Sequence, residues 1–299
     1  FSKVKNRGLI GSLVCLGTSS GTLLANLIWS IILMNISEND LLVWGWRIPF
    51  FASFVVMIVA ILIRIFVKES PVMVEKKKLL LKEREHIEKS GKPIKTEKKG
   101  RKSFAVALGL RFGQAGNSGI LQTYLTGFIV TVLLMQKTVA TNANIISSLI
   151  SFITIPVVGY LGDKFGRRKL YMILSLAMAV YAIPMMMMIN SKNVVVLTIG
   201  LVIGLNVGCQ GIFALENVTL SELFGSKNRV TLVSLAKEIA GVVATGFGPL
   251  IAASWVSAVS GSWIPVAIML IIFSLSTFFS SYVSEDVTGR DLNDLNDAM

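Results

Sequence analysis

Apolar residues run along this chain in long blocks, and polar residues gather in short clusters between them. The blocks cover about residues 9–34, 47–65, 104–134, 143–161, 169–189, 194–216, 230–256 and 263–283. A helix advances about 1.5 Å per residue, so roughly 20 apolar residues cross the hydrocarbon of a bilayer. Inside hydrocarbon the backbone must satisfy its own hydrogen bonds, and blocks without strict alternation do so as helices. The pattern predicts about eight transmembrane helices in an all-α, polytopic membrane helix bundle. Gly11, Gly17, Ser19, Ser20 and Gly21 in the first block suit close approach of a neighbouring helix.

Composition supports the membrane and charge orients the chain in it. Hydrophobic residues make up 53% and charged residues 15%, with a mean hydropathy of +0.70, outside the range of soluble domains. The net charge of +12 is compatible with nucleic acid or with a membrane face. Its distribution decides for the membrane and excludes a nucleic-acid partner. Of the 29 Lys and Arg, 24 fall in segments that an even helix count puts on one side. That side is the cytoplasm, by the positive-inside asymmetry, and both ends of the chain lie on it. Trp29, Trp44, Trp46, Trp255 and Trp263 fall at or near the opposite helix ends, at headgroup depth.

Residues 68–103 break the pattern, with 13 Lys and Arg against 6 Glu, and read as a cytoplasmic basic linker. Within it, residues 73–86 have the composition of a helix lying along a lipid surface. His86, the one histidine, reads as a solvated surface residue. Residues 284–299 read as a solvated, acidic and polar cytoplasmic tail. Cys15 and Cys209 lie in apolar blocks without metal spacing, so packing is the expectation, with no metal and no cofactor. No Asp/His pair, His-rich motif or Ser/His/Asp set suggests an enzyme. The chain opens on Phe1 and reads as a piece of a longer protein.

Between two blocks stand Gly159, Leu161, Gly162, Asp163, Gly166, Arg167 and Arg168, with turn-forming glycines, one carboxylate and a basic exit. This G-x-L-G-D-x-x-G-R-R spacing resembles the loop signature of the major facilitator superfamily of secondary transporters. Further stretches resemble its metabolite:proton symporter family, which includes proline/betaine transporters. Trp44-Gly45-Trp46-Arg47-Ile48-Pro49-Phe50, with Glu69-Ser70-Pro71 after it, looks like the sixth helix and its exit. Gly116-Asn117 with Thr123-Tyr124-Leu125 looks like the seventh, and Ser221-Glu222-Leu223-Phe224 with Arg229 like the turn after the tenth. A short echo of Lys5-Asn6-Arg7 in Lys227-Asn228-Arg229 fits the repeated halves of such transporters.

The resemblance implies a partial major facilitator fold covering helices five to twelve. Residues 1–67 would be the last two helices of the amino-terminal half and 104–283 the six-helix carboxy-terminal half. The earlier helices of the same protein would then be missing partners. The implied function, in the full-length parent, is proton-coupled symport of a small polar metabolite across the bacterial inner membrane, by alternating access. The metabolite is a proline/betaine-type osmolyte or a carboxylate; the alternative is a non-transporting membrane protein or an inactive fragment.

Ionisable and amide side chains inside the spans are the candidates for the chemistry, because each is expensive in lipid unless it is paired or faces water. Arg111, Gln114, Ser118 and Gln122 recur on one helical face, with Asn117 and Tyr124 on a second polar line. They either meet a substrate path, or Arg111 snorkels to the cytoplasmic end and the amides bridge neighbouring helices. Asn206 and Gln210 share a face, with Glu216 at its edge. Glu216 and Glu238 are the proton-coupling candidates. Lys237 is either a counter-charge for a carboxylate substrate or, with Glu238, part of an inner gate. The other expected gate residues are Gly159, Asp163, Gly166, Arg167, Arg168, Glu222 and Arg229. Asp163 is expected to meet Lys5, Arg7 and the start of the first helix, and Glu222 with Arg229 a matching contact elsewhere.

Overall fold

The computed structural model describes residues 6–66, 100–226, 228–292, 294 and 297–299. Lys5, Lys227, His86, Glu69 to Pro71, the lipid-surface helix at 73–86 and most of the basic linker lie outside the described residues.

Among the described residues the chain is helical, without strands. We number the helices α1 (Arg7–Asn35), α2 (Glu38–Val43), α3 (Ile48–Phe66), α4 (Gly100–Ser118, running on through Gly119–Tyr124 and Leu125–Thr131), α5 (Lys137–Phe165), α6 (Arg167–Asn190), α7 (Val194–Leu223), α8 (Arg229–Ala258) and α9 (Ile264–Val283). Among the described residues seven helices are long and apolar enough to cross a membrane. These are α1, α3 with the turn before it (Gly45–Phe66), and α5 to α9. The eighth expected span is present as α4 but falls short of that hydropathy, because Arg101, Lys102, Arg111, Gln114, Asn117 and Gln122 interrupt its apolar residues. It also begins at Gly100, earlier than the apolar block does.

The chain divides into two compact units, Met34–Glu97 and the rest. Within the first, Ser37 caps α2 by accepting the Asp40 N–H, and Arg47 stacks over Trp46 at 4.6 Å before α3 begins. Past the half-buried Ile48 and Pro49, the described side chains of α3 are exposed and overwhelmingly apolar, as a lipid-facing helix requires.

In the other unit α4 runs between α7, α8 and α9. Side chains bond across these contacts: Asn117 Nδ2 of α4 donates to Ser274 Oγ of α9 at 3.0 Å, and Ser276 Oγ of α9 to the Gly109 carbonyl of α4 at 3.3 Å. Three helices loosen from the α to the π pattern in mid-course, at Gly119–Tyr124 in α4, Leu205–Gly211 in α7 and Gly241–Gly246 in α8. A π turn disturbs the i→i−4 ladder, and such turns are frequent at functional sites. Here the Thr245 hydroxyl bonds the Ala115 carbonyl at 2.9 Å, four residues before the α4 stretch begins. The α4 stretch packs against the other two.

Residues 284–299 correct the expectation of a solvated tail. Arg7 Nη1 donates to the Arg290 carbonyl at 2.7 Å, Arg290 Nη1 to the Glu222 carbonyl at 3.0 Å, and Arg229 Nη2 to the Leu292 carbonyl at 2.8 Å. Asp297 accepts the Gly225 N–H at 2.8 Å, and the Met299 N–H reaches Ser103 Oγ at 3.1 Å. Val287 and Ser284 are buried. The segment thus fastens the ends of α1, α4, α7 and α8, using backbone carbonyls for neighbouring cations. Hydrogen bonds to charged groups contribute about 1.5–3 kcal/mol each. Replacing Arg290 by Ala in the full-length protein should therefore lower its thermal unfolding midpoint in detergent, whereas the exposed Lys169→Ala should not; equal midpoints would count against the docking.

Candidate functional site

Two features concentrate polar chemistry in the larger unit, a neutral cavity and a charged cluster on the same helices. The cavity has a volume of about 290 Å³. Thr22, Asn26 and Trp29 of α1 line one side; Gln122, Thr123 and Thr126 of α4, Thr141, Asn144, Ser147 and Ser148 of α5, and Leu205 and Gln210 of α7 line the others. Among the described lining residues none carries a formal charge, so the cavity offers hydroxyls, amides and one indole. Asn144 Nδ2 approaches Thr126 Oγ1 at 3.4 Å, and Asn206, just behind the wall, donates to Ser147 Oγ at 3.1 Å. The π stretches of α4 and α7 carry Gln122 and Gln210, the two expected substrate residues that face the cavity.

The other expected residues divide. Asn117 turns to Ser274 of α9, and Tyr124 packs near Phe128 with ring centroids 5.9 Å apart; neither lines the cavity. Arg111 and Gln114 belong to the charged cluster. Thr22, Asn26 and Trp29 were not among the expected substrate residues, although their spacing of four and three marks one face of α1. Trp29 lines the cavity, where residue type alone had put it in the headgroup belt.

In the cluster, Glu216 of α7 is 1% exposed and lies between two cations. Arg111 Nη1 is 3.1 Å from its Oε2 and Lys237 Nζ 3.2 Å from its Oε1. Arg111 also donates to Gln114 Oε1, and Lys237 to Asn217 Oδ1. Gln114 and Gln122 both point an amide N–H at Cys209 Sγ, at 3.9 and 3.3 Å, which links the cluster to the cavity wall. Asn217 meets Cys15 of α1 at 3.2 Å. The two cysteines therefore border polar side chains. Glu238, next to Lys237, is exposed on another face of α8, so the structure does not bring it to this cluster.

The loop signature builds a second charged cluster. The α5 helix ends at Gly166, whose φ of +89° only glycine adopts without strain, and α6 starts at once. Asp163 then faces the start of α1 and accepts the Gly8 N–H at 2.8 Å and the Leu9 N–H at 3.0 Å. A carboxylate on the free N–H groups of a helix start satisfies both the hydrogen bonds and the dipole. The backbones come this close because both crossing residues are glycine: a Cβ on Gly8 would lie 2.8 Å from the Gly159 carbonyl oxygen, and one on Gly159 2.9 Å from that of Gly8.

Arg7, expected on Asp163, bonds Glu222 instead, at 2.8 Å. Arg167 bridges Asp163, at 2.9 Å, and Glu222. Glu222 therefore belongs to this cluster, not to a separate matching contact, while Arg229 holds the carbonyls of Phe224 and Leu292. Arg168 donates to the carbonyls of Ser281 and Tyr282 at the end of α9.

A bundle of apolar helices around an uncharged polar cavity, with ion pairs buried at helix ends, is the architecture of a polytopic membrane transporter. The comparisons with known proteins give the family. The family model described as Major Facilitator Superfamily matches residues 1–249 and 107–294, and the chain belongs to that superfamily. The chain is 44% identical to YdfJ of Escherichia coli (strain K12) over 299 residues, covering 98% of this chain and 67% of that protein. It is 24% identical to the shikimate transporter of the same strain, over 91% of this chain and 61% of the transporter. To the proline/betaine transporter of that strain it is 28% identical, over 98% of this chain and 58% of the transporter. The chain thus spans about two thirds or less of the length of these relatives. It is an integral membrane protein, and its named relatives are transporters, not enzymes.

The Asp163 contact has a direct test. Asp163→Asn keeps one acceptor for the helix start but removes the charge that Arg167 requires. A hydrogen bond to a charged group contributes about 1.5–3 kcal/mol, so roughly a tenfold or larger loss of uptake by the full-length protein is expected, with substrate binding retained. Unchanged uptake would remove the gate assignment.

Proposed function

We propose that the full-length protein is a proton-coupled symporter of a small polar metabolite in the bacterial inner membrane, working by alternating access. The chain would correspond to helices five to twelve, with its described ends and the loop signature on the cytoplasmic side. In this reading the neutral cavity is the substrate chamber, with one wall from α1 and the others from α4, α5 and α7. Movement of α1 against the rest would open and close it, and Asp163, Arg167, Glu222 and Arg7 would hold the closed state.

One observation supports the coupling: Glu216 is buried between Arg111 and Lys237, and Arg111 is linked to the cavity wall through Gln114, Cys209 and Gln122. In this reading Glu216 carries the proton, because an ionisable group this deep among apolar helices is costly unless it is paired or used. Glu238 has no such setting among the described residues. The names of the relatives supply the first substrates to try, shikimate, proline and betaine.

Cells expressing the full-length gene should accumulate one of these labelled compounds, or one of the carboxylates citrate and 2-oxoglutarate, and a protonophore should abolish the accumulation. Accumulation that ignores the protonophore would overturn proton coupling.

A further inference from the structure

We propose that a groove between α8 and α9, floored by α4, seats an acyl chain of an anionic phospholipid whose phosphate is held by Arg101 and Lys102. The proposal goes beyond transport, since it needs only that these helices cross a bilayer; no substrate or coupling enters it.

The groove follows from how the three helices meet. Phe247–Ala258 of α8 packs on α9, whereas Arg229–Ala240 packs on α4, so that α4 floors the gap left between α8 and α9. Leu108, Gly109 and Phe112 form the floor, Ile239 and Val243 of α8 one wall and Ser276 of α9 the other, around a volume of about 230 Å³. Ile239 is 45% and Val243 48% exposed, so the groove opens to whatever surrounds the bundle. Its floor is fixed. A Cβ on Gly109 would run into Ser280 Oγ of α9, and the Phe112 ring meets Phe273 edge-on with centroids 5.3 Å apart. The Ser276 hydroxyl is turned to the Gly109 carbonyl at 3.3 Å, which leaves hydrocarbon as the surface the groove presents.

Apolar walls alone select nothing inside a bilayer, because a lipid chain that enters them leaves neighbours just as apolar. The charge above the groove supplies the selection. Arg101, Ala105, Leu108 and Phe112 follow at steps of four, three and four, which puts them on one face of α4, and Lys102 and Gly109, seven apart, share the adjoining line. Both cations therefore stand over the groove, about 10 Å toward the helix start at 1.5 Å per residue. They are exposed and have no bonding partner among the described residues. Arg7, Arg167 and Arg168, at other helix ends, are spent on carboxylates and carbonyls. The Asp297 carboxylate, which lies over Gly100, accepts the Gly225 N–H with Oδ1 at 2.8 Å.

A guanidinium meets two phosphate oxygens at once and an ammonium adds a point charge, so the pair suits a phosphate at headgroup depth. From there the chain runs down the α4 face into the groove. A net negative headgroup gains from both cations. Phosphatidylethanolamine carries its own ammonium and gains less.

The test uses full-length protein purified in neutral detergent and a phosphatidylglycerol with a photoreactive diazirine in one acyl chain, the crosslinked residues being mapped by mass spectrometry. Crosslinks should fall on Leu108, Phe112, Ile239 and Val243. Unlabelled phosphatidylglycerol should displace the probe at a concentration at least about tenfold lower than phosphatidylethanolamine with the same chains; tenfold corresponds to about 1.4 kcal/mol. In the double variant Arg101→Gln/Lys102→Gln the two lipids should compete equally.

Crosslinks that miss these four residues, or that spread evenly over the exposed faces of all the helices, overturn the seat. Equal competition in the wild type overturns the headgroup contact, and so does a preference that survives in the double variant. Mapping and competition on the wild type need no variant, so a misfolded mutant leaves the test intact.

Discussion

A carboxylate buried among apolar helices must find cations, and most of the architecture around α7 answers that requirement. Glu216 and Glu222 lie six residues apart on this one helix, and each is held by two cations from other helices. Arg111 of α4 and Lys237 of α8 hold the first; Arg7 of α1 and Arg167 of α6 hold the second. Two side chains thereby tie four helices to a fifth. The clusters differ in one respect. Asp163 joins Glu222, so that two carboxylates face Arg7 and Arg167. Glu216 has no such companion among the described residues. One cluster is matched in charge, while the other keeps a surplus positive charge among the described residues.

The helices carry these groups on a backbone that gives way where the polar residues gather. Gly119, Gly208 and Gly241 lie in the three π stretches of α4, α7 and α8. Because the first stretch packs against the others, a disturbed ladder in one helix is met by side chains of another. Thr245 shows this, completing the hydrogen bonding of the Ala115 carbonyl. Two of these stretches carry Gln122 and Gln210, which line the cavity. An unbroken α register from Gln114 to Gln122 leaves the two about 80° apart around the axis, yet both amides reach Cys209.

What the sequence revealed and what it concealed follow from range. The all-α membrane bundle was legible because length and hydropathy are local properties, and the loop signature because its glycines and charges are contiguous. Arg111 with Gln114 was legible from a spacing of three, and Asp163 at the start of α1 from the resemblance. The partner of Arg7 was not legible, since Glu222 is 215 residues away and equally charged alternatives existed. The carboxy-terminal segment misled for a related reason. Its Asp and Asn content is that of a solvated tail, but its backbone carbonyls accept from Arg7 and Arg229, which no local pattern announces. Asn117 had the right polarity and the wrong face, toward α9.

The separation of a neutral cavity from a charged cluster has a consequence for a protein that must let go of what it binds. A neutral hydrogen bond is exchanged with water at a net gain of only about 0.5–1.5 kcal/mol. A wall of Thr, Ser, Asn and Gln can thus recognise shape without holding its guest long. A buried ion pair is stronger, and would trap a charged guest unless something takes the guest's place. In this structure Arg111 and Lys237 are already occupied, by Glu216. The cavity thus offers neutral hydrogen bonds and the cluster offers charge, and α7, which carries Gln210 and Glu216 less than two helical turns apart, joins the two.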